Sequence, residues 1–444
     1  MRVKWDRWSQ QTHAHATAET VARRSYGKLV AYLAARTRDV AGAEDALSDA
    51  FAAALADWPS RGVPDSPEAW LTAVAQRKLI DAARRQRTGE AAAGHLRLMV
   101  EELQQLENAD DTAIPDDRLS LMFACAHPAI DPEVRTPLIL QTLLGFDAAT
   151  IASAFLVAPA TMGQRLVRAK SKIREAGIPF RVPERADLAA RLDAVLGAIY
   201  AAFAEGWSDP GGTETRRRNL AEEGIWLGRL VASLLPQEPE ALGLLALMLH
   251  AEARRGARRN GRGDYVPLAE QDPAAWDLKL IEEAEALLLQ ASRMGAVGRY
   301  QLEAAVQSAH AARRTSGRTD WAAIARMYDA LLIITDSPVV AINRAIAIAE
   351  IDGAAAGLAA LDALADNPRL ADYQPNWAAR AGLLGRIGEV EAAEEAYERA
   401  IGLEADPAVR RFLQQRRAEQ ATDRAHPARG GEQRFGLRDQ VSIP

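Results

Sequence analysis

The sequence predicts an all-α protein made of several helical domains. Three observations carry that expectation. Apolar residues recur at three- and four-residue steps along most of the chain, β-branched residues seldom alternate with polar ones, and the 48% of hydrophobic residues are mainly alanine and leucine. At 444 residues the chain is long enough for two or three separate cores.

The first helix is expected over Ala18 to Arg36, marked by Val21, Leu29, Val30 and Leu33, after a dozen loosely ordered residues. The second runs from Asp39 to Leu55. Its Leu47, Phe51 and Leu55 share one face, while Glu44, Asp45 and Asp49 form an acidic surface. Trp58-Pro59 and the GVPDSPEAW stretch read as a Pro-rich turn into a third helix, Ala69 to Arg87. That helix alternates an apolar stripe (Trp70, Val74, Leu79, Ala82) with Arg77, Lys78, Arg84, Arg85 and Arg87.

Gly145 to Ala176 reads as a helix-turn-helix. Asp147 opens a short helix carrying Ile151, Ala152 and Phe155, and Pro159 suits the first position of the next, where its missing N–H costs nothing. Met162, Leu166, Ala169 and Ile173 then recur at the period of a buried stripe. The opposite face carries Thr161, Gln164, Arg165, Arg168 and Lys172, a set suited to a recognition helix in the major groove. Taken alone, an ordinary amphipathic helix with a solvated basic face reads equally well.

Charge is uneven. The net charge is −6, yet Arg77 to Arg97 holds six basic residues against two acidic ones, and Arg165 to Arg181 six against one. Between them, Met99 to Asp117 contains seven carboxylates and neither Lys nor Arg. Two local basic patches in an acidic chain fit a nucleic-acid binder that depends on a partner.

After Pro183 the chain is helical and repetitive. Ala323, Met327 and Ala330 recur as Gly357, Leu361 and Leu364 and again as Ala393, Tyr397 and Ala400, at the spacing of a tetratricopeptide (TPR) helix pair. Trp377, Ala381, Leu384 and Gly388 keep the last repeat in register, and such repeats build a concave surface for a protein partner. Arg254 to Asp264, RRGARRNGRGD, reads as a solvated loop, and the residues after Ala421 as a disordered tail.

The series AEDALSDAF, P-x-x-P-E-A-W-L and LIDAARR resembles region 2 of the sigma factors of bacterial RNA polymerase, of the small extracytoplasmic-function type. DDRLSLMFACAHPAI followed by the helix-turn-helix, through VRAKSKI, resembles their region 4. Further stretches, among them RLDAVLGAIYAAFAEGW, GLLALMLHAEARR and SPVVAINRAIA, are similar to the long TPR-like C-terminal extension of one subgroup. Leu156 stands where the turn normally has glycine, Ala158 where Ser is common, and Arg77 where many relatives have Asn.

The resemblance implies region 2 at 18–88, an acidic linker at 89–117, region 4 at 118–178, a regulatory domain at 187–415 and a tail at 421–444. It implies docking on the clamp helices of core RNA polymerase through Asp45, Asp49 and Phe51. Arg77, Lys78, Arg84 and Arg85 would neutralise phosphates of the minus-ten element of promoter DNA, and the turn around Pro59 to Glu68 would accept an unstacked base. Thr161, Gln164, Arg165 and Arg168 would lie over the minus-thirty-five element, with Lys172 on phosphate.

No enzyme, cofactor or metal is expected. The seven histidines are scattered, His13 and His15 read as incidental, His127 and His250 as packed side chains, and no catalytic motif stands in the sequence. The single cysteine, Cys125, excludes an internal disulfide, and the absence of a long apolar run predicts a cytoplasmic protein without a membrane anchor. Two rivals are a one-component helix-turn-helix regulator with a helical sensor domain and a TPR scaffold. Neither needs the constellation between 39 and 87. The short segment Gly177 to Glu184, with Pro179 and Pro183, reads as a stiff joint to the C-terminal domain.

Overall fold

A computed structural model of the chain describes the backbone of residues 2–85, 116–155, 157–207 and 215–425. Among the described residues every regular element is helical, beside one isolated bridge, Arg259 to Tyr265. The fold is all-α, and the chain divides into two compact units, Met1–Ala202 and Phe203–Pro444.

The first unit begins with α1 (Arg2–Thr37), which reaches back through the residues expected to be loose. Helix α2 (Val40–Arg61) starts at Asp39, whose carboxylate accepts from the Gly42 N–H, and packs along α1. The pair buries Leu29, Val30 and Leu33 of α1 with Val40, Leu47, Ala50 and Ala54 of α2. The expected break at Trp58-Pro59 is absent, because Pro59 falls in the last turn of α2. There it removes one ladder bond, and the Gly62 N–H still closes the helix on the Trp58 carbonyl.

Helix α3 (Pro67–Arg85) buries Leu71, Thr72, Ala75, Gln76 and Ile80 instead of the expected Trp70, Val74, Leu79 and Ala82. Thr72 returns its hydroxyl to the Glu68 carbonyl, so a polar residue can occupy the inward stripe. Trp70 instead meets Trp58 edge-on, with ring centroids 5.5 Å apart.

Helices α4 (Arg118–Cys125), α5 (Pro132–Leu144), α6 (Ala148–Ala154), α7 (Pro159–Glu175) and α8 (Arg185–Trp207) follow. Helix α5 ends at Gly145 in the left-handed region (φ 65°), where its N–H bonds the Gln141 carbonyl and Phe146 bonds that of Leu140. That cap turns the chain into α6. The segment between α7 and α8, read as an interdomain joint, connects two helices of the first unit. The N-terminal half of α8 is tied to α5 by Arg135 on the Ala190 carbonyl and Thr136 on that of Ala194.

The second unit continues with α9 (Thr215–Leu234), α10 (Pro239–Ala253), α11 (Leu278–Ser292), α12 (Arg299–Ala311), the short α13 (Arg313–Ser316) and α14 (Trp321–Thr335). It ends with α15 (Pro338–Asp352), α16 (Ala354–Asp362), α17 (Gln374–Ile387), α18 (Val390–Leu403) and α19 (Pro407–Ala425). Helix α10 is buried along nearly its whole length between α11 and α12, and the later helices pack pairwise on their chain neighbours. Of the three repeated triplets, Ala393, Tyr397 and Ala400 are buried, while Ala323, Met327 and Ala330 are half-buried.

The arginine-rich loop after α10 is an ordered strap, not a solvated loop. Arg254 is buried on Gln307, Arg255 and Arg258 donate to the carbonyls of Gly206 and Trp207, and Arg259 pairs with Asp406 at 2.5 Å. Helix α19 runs to Ala425, so residues 421–425, expected to be disordered, are helical; the rest of the expected tail lies outside the described residues.

Helices α10 and α12 approach at Gly243, and the α10 residue Glu240 accepts from the Tyr300 and Gln301 N–H groups, capping α12 from outside. A methyl at Gly243 would stand 2.7 Å from the Gln301 nitrogen. Gly243→Ala is therefore expected to destabilise by about 1–3 kcal/mol through overpacking, although alanine is the better helix former. Urea denaturation monitored by helical circular dichroism measures this, and an unchanged or raised midpoint would show that the approach is not tight.

Candidate nucleic-acid interface

Each sequence-predicted residue with a described side chain sits on one of three helices of the first unit. On α2, Asp45 and Asp49 are exposed and Phe51 is half-buried beside the buried Leu47. Glu44, expected on the same acidic surface, points elsewhere. Its side chain is 15% exposed and pairs with Lys170 of α7 at 2.5 Å, 126 positions away.

On α3, Arg77 and Lys78 are exposed, and Lys78 stands 3.2 Å from Asp49, so a basic residue assigned to DNA meets an acidic one assigned to polymerase. Both groups are about half solvated, so the pair is worth little and gives way readily to a stronger partner. The side chains of Arg84 and Arg85 lie outside the described residues, as do Leu156 and most of the acidic linker. The last two linker carboxylates are anchored: Asp117 pairs with Arg36 of α1 at 3.0 Å, and Asp116 pairs with Arg118.

Helices α6 and α7 form locally, as their sequence demands. The Asp147 carboxylate accepts from the Ala149 and Thr150 N–H groups and from the Thr150 hydroxyl at 2.8–2.9 Å, and these bonds, Thr150's first, hold its pKa below the usual carboxylate value. Ala158 caps α7 with no side-chain bond, and Pro159 follows at the first helical position. Met162, Leu166, Ala169 and Ile173 are all buried. Phe155 departs from its expected place on α6; it lies just past the helix end and is 38% exposed.

Opposite the buried stripe, Thr161, Gln164, Arg168 and Lys172 are exposed. Arg165 is half-buried and donates to Glu133 of α5 at 3.1 Å. A guanidinium held this way is oriented by its own neighbour, with further N–H donors left over.

Cys125 is packed in the core, while His127 is half-buried. Cys125 is fully buried against Thr142, and burial pushes its thiol up to about 12. The His127 ring accepts from the Ala129 N–H, with burial and then the Arg191 and Arg135 charges lowering its pKa. Among the described residues no cluster of His, Cys, Asp and Glu has metal-binding geometry, and no helix is long and apolar enough to cross a membrane.

What inspection of the sequence missed is through-space pairing: Glu44 with Lys170, and Asp39 with Arg174 at 3.4 Å. The available signal was the four-residue spacing of Lys170 and Arg174, on a flank of α7 between its buried and basic faces.

Residues 21–88, spanning α2, α3 and the C-terminal part of α1, match the family model for sigma-70 region 2. Residues 191–292 match a family of unknown function. A curated protein of Rhizobium meliloti (strain 1021), itself described as uncharacterized, is 39% identical over 365 residues, which are 81% of this chain and 86% of that protein. No solved structure matches the chain. The region-2 match falls on the helices that carry the acidic and basic faces described above, and it supports a sigma-70 family factor.

Proposed function

We propose that the protein is an extracytoplasmic-function sigma factor whose second unit is a TPR-like regulatory module. In this reading α2 docks on core RNA polymerase through Asp45, Asp49 and Phe51. Helix α3 neutralises minus-ten phosphates with Arg77, Lys78, Arg84 and Arg85, and α7 lies in the major groove of the minus-thirty-five element. The protein acts in the cytoplasm, where its partners are.

One observation carries the reading most: α7 buries Met162, Leu166, Ala169 and Ile173 while exposing Thr161, Gln164, Arg168 and Lys172, in the same unit as the region-2 match. A helix that packs on one side and offers donors early on the other has the form needed to read base edges. The test is co-purification with core polymerase followed by promoter-dependent transcription. Tight, sequence-specific duplex binding by the protein alone, with no polymerase association, would favour a one-component regulator instead.

Within this reading Arg165 reads a base edge and Lys172 a phosphate. Arg165→Ala is expected to cost about 1–3 kcal/mol of promoter binding and to relax one minus-thirty-five position, while Lys172→Ala weakens all sequences about equally. Transcription from a promoter library measures both. Identical sequence profiles for Arg165→Ala and the parent would remove the base-reading role.

A further inference from the structure

One side chain on the outward face of α7 is already engaged. Thr161, Gln164, Arg168 and Lys172 reach solvent, and among the described residues none of them bonds another side chain. Arg165 does: its Nη1 donates to Oε2 of Glu133, 32 positions back on α5, at 3.1 Å.

Both ends of that contact are seated. Arg165 precedes Leu166, which is 1% exposed on the inner side of α7. Glu133 precedes Val134, 3% exposed, and its own N–H donates to the Asp131 carboxylate at 3.1 Å. Arg135 donates to the Pro128 and Ile130 carbonyls, so the loop before α5 is fixed as well. A carboxylate in the first turn of a helix is also favoured by the helix dipole. The α5 backbone therefore presents the Glu133 acceptor from a set place beside the recognition face.

We propose that Glu133 is a positioning residue for base readout. It holds the Arg165 guanidinium in one orientation, so that the N–H groups left on Nε and Nη2 meet a guanine edge in the minus-thirty-five element. The proposal rests on the sigma-factor reading above and, within it, on Arg165 as the base-reading side chain.

The pair does little for the fold, since its side chains are 36% and 72% exposed and a solvated ion pair adds little stability. What it changes is Arg165 before DNA arrives. A long side chain gives up rotamer freedom when it binds, and one already held gives up less. Guanine recognition needs two parallel donors in a plane, and with Nη1 on Glu133 the fork keeps such a pair. The carboxylate also offsets the Arg165 charge. A cation without that partner is drawn to any phosphate, whereas the paired one gains chiefly where its remaining donors find acceptors. Glu133 thus lowers attraction to every sequence and raises preference for one.

The test uses the full chain with core polymerase and a pool of duplexes randomised over the minus-thirty-five element, from which the bound sequences are read. Arg165→Ala marks the position that Arg165 reads. At that position Glu133→Ala should lower the preference for guanine by roughly five-fold or more, while binding to the other sequences stays level or rises. Damage to the fold would lower both. Glu133→Gln, which keeps an acceptor at the same reach, should hold the preference nearer to the parent than Glu133→Ala does. Once Arg165 is replaced by alanine, Glu133→Ala should change nothing further at that position.

If Arg165→Ala relaxes a position that Glu133→Ala leaves at the parent preference, the positioning role is overturned and base reading by Arg165 stands. An equal loss of binding to all sequences in Glu133→Ala, relaxation at a different position, or additive effects in the double variant overturns it too. An Arg165→Ala profile identical to the parent's removes base reading and the positioning role together. A chain that does not co-sediment with polymerase overturns the sigma reading and the positioning role with it.

Discussion

Replacing Tyr397 by alanine is expected to cost about 3–5 kcal/mol, the range for removing a large buried aromatic. Tyr397 is 1% exposed and sits in α18 among Ala378, Ala381, Ala393, Ala396, Ala400 and Ala408, with Tyr265, Leu384, Val409 and Leu413 completing the cluster. Most of these neighbours are alanines, whose side chains cannot swing into the space the ring leaves, so the cavity persists. Burial also pushes the phenol up to about 12, so it stays protonated and Tyr397→Phe should cost only about 1 kcal/mol. Urea titration of both variants measures the difference. A loss below 1 kcal/mol for Tyr397→Ala would mean that α17, α18 and α19 are not closed around this ring.

The second large effect is acid sensitivity centred on His250. This α10 residue is 2% exposed, and burial, aided by Arg254, pushes its pKa from 6.5 down to about 3. Glu285 stands 3.4 Å away, but its side chain is 44% exposed, so water weakens its pull and burial dominates. As pH falls the unfolded chain takes up its proton near 6.5, while the folded chain resists until about 3. The stability contributed by the neutral ring is therefore complete above the unfolded value and is lost between the two, on the order of 5 kcal/mol in all. His250→Leu should flatten the fall in stability between pH 6.5 and pH 4 relative to the parent. Parallel profiles for the two proteins would show that other groups carry the acid response.

Much of the α7 surface was legible because its information is local. A proline at the first helical position, a stripe at the helical period and an uninterrupted basic face all lie within seventeen residues, and the structure follows them. Helix α3 was misread because Thr72 and Gln76 occupy its buried face, and a stripe containing polar residues is invisible to hydrophobic spacing. Glu44 was read as solvated because it stands in an acidic run, and Lys170, which claims it, is distant in sequence. The loop from Arg254 likewise looked solvated, although its arginines close the end of α8 on the carbonyls of Gly206 and Trp207. For Glu44 and for this loop the deciding partner lay far along the chain, where periodicity carries no signal.

Where the chain can be cut follows from α8. The division between the two units falls between Ala202 and Phe203, inside this helix, and its first half is pinned to α5 by Arg135 and Thr136. A deletion made at the prolines before α8 would strip the first unit of one of its own helices. The bonds at Ala190 and Ala194 would go, and Leu188, Leu192, Val195 and Ile199, all buried, would be lost with them. A phenotype from such a deletion would report damage to the first unit as much as loss of the second. Shuffling between related proteins meets the same constraint: a crossover that keeps the first unit whole carries α8 with it, so the natural seam for exchange lies beyond Trp207 and not at the proline-marked turn.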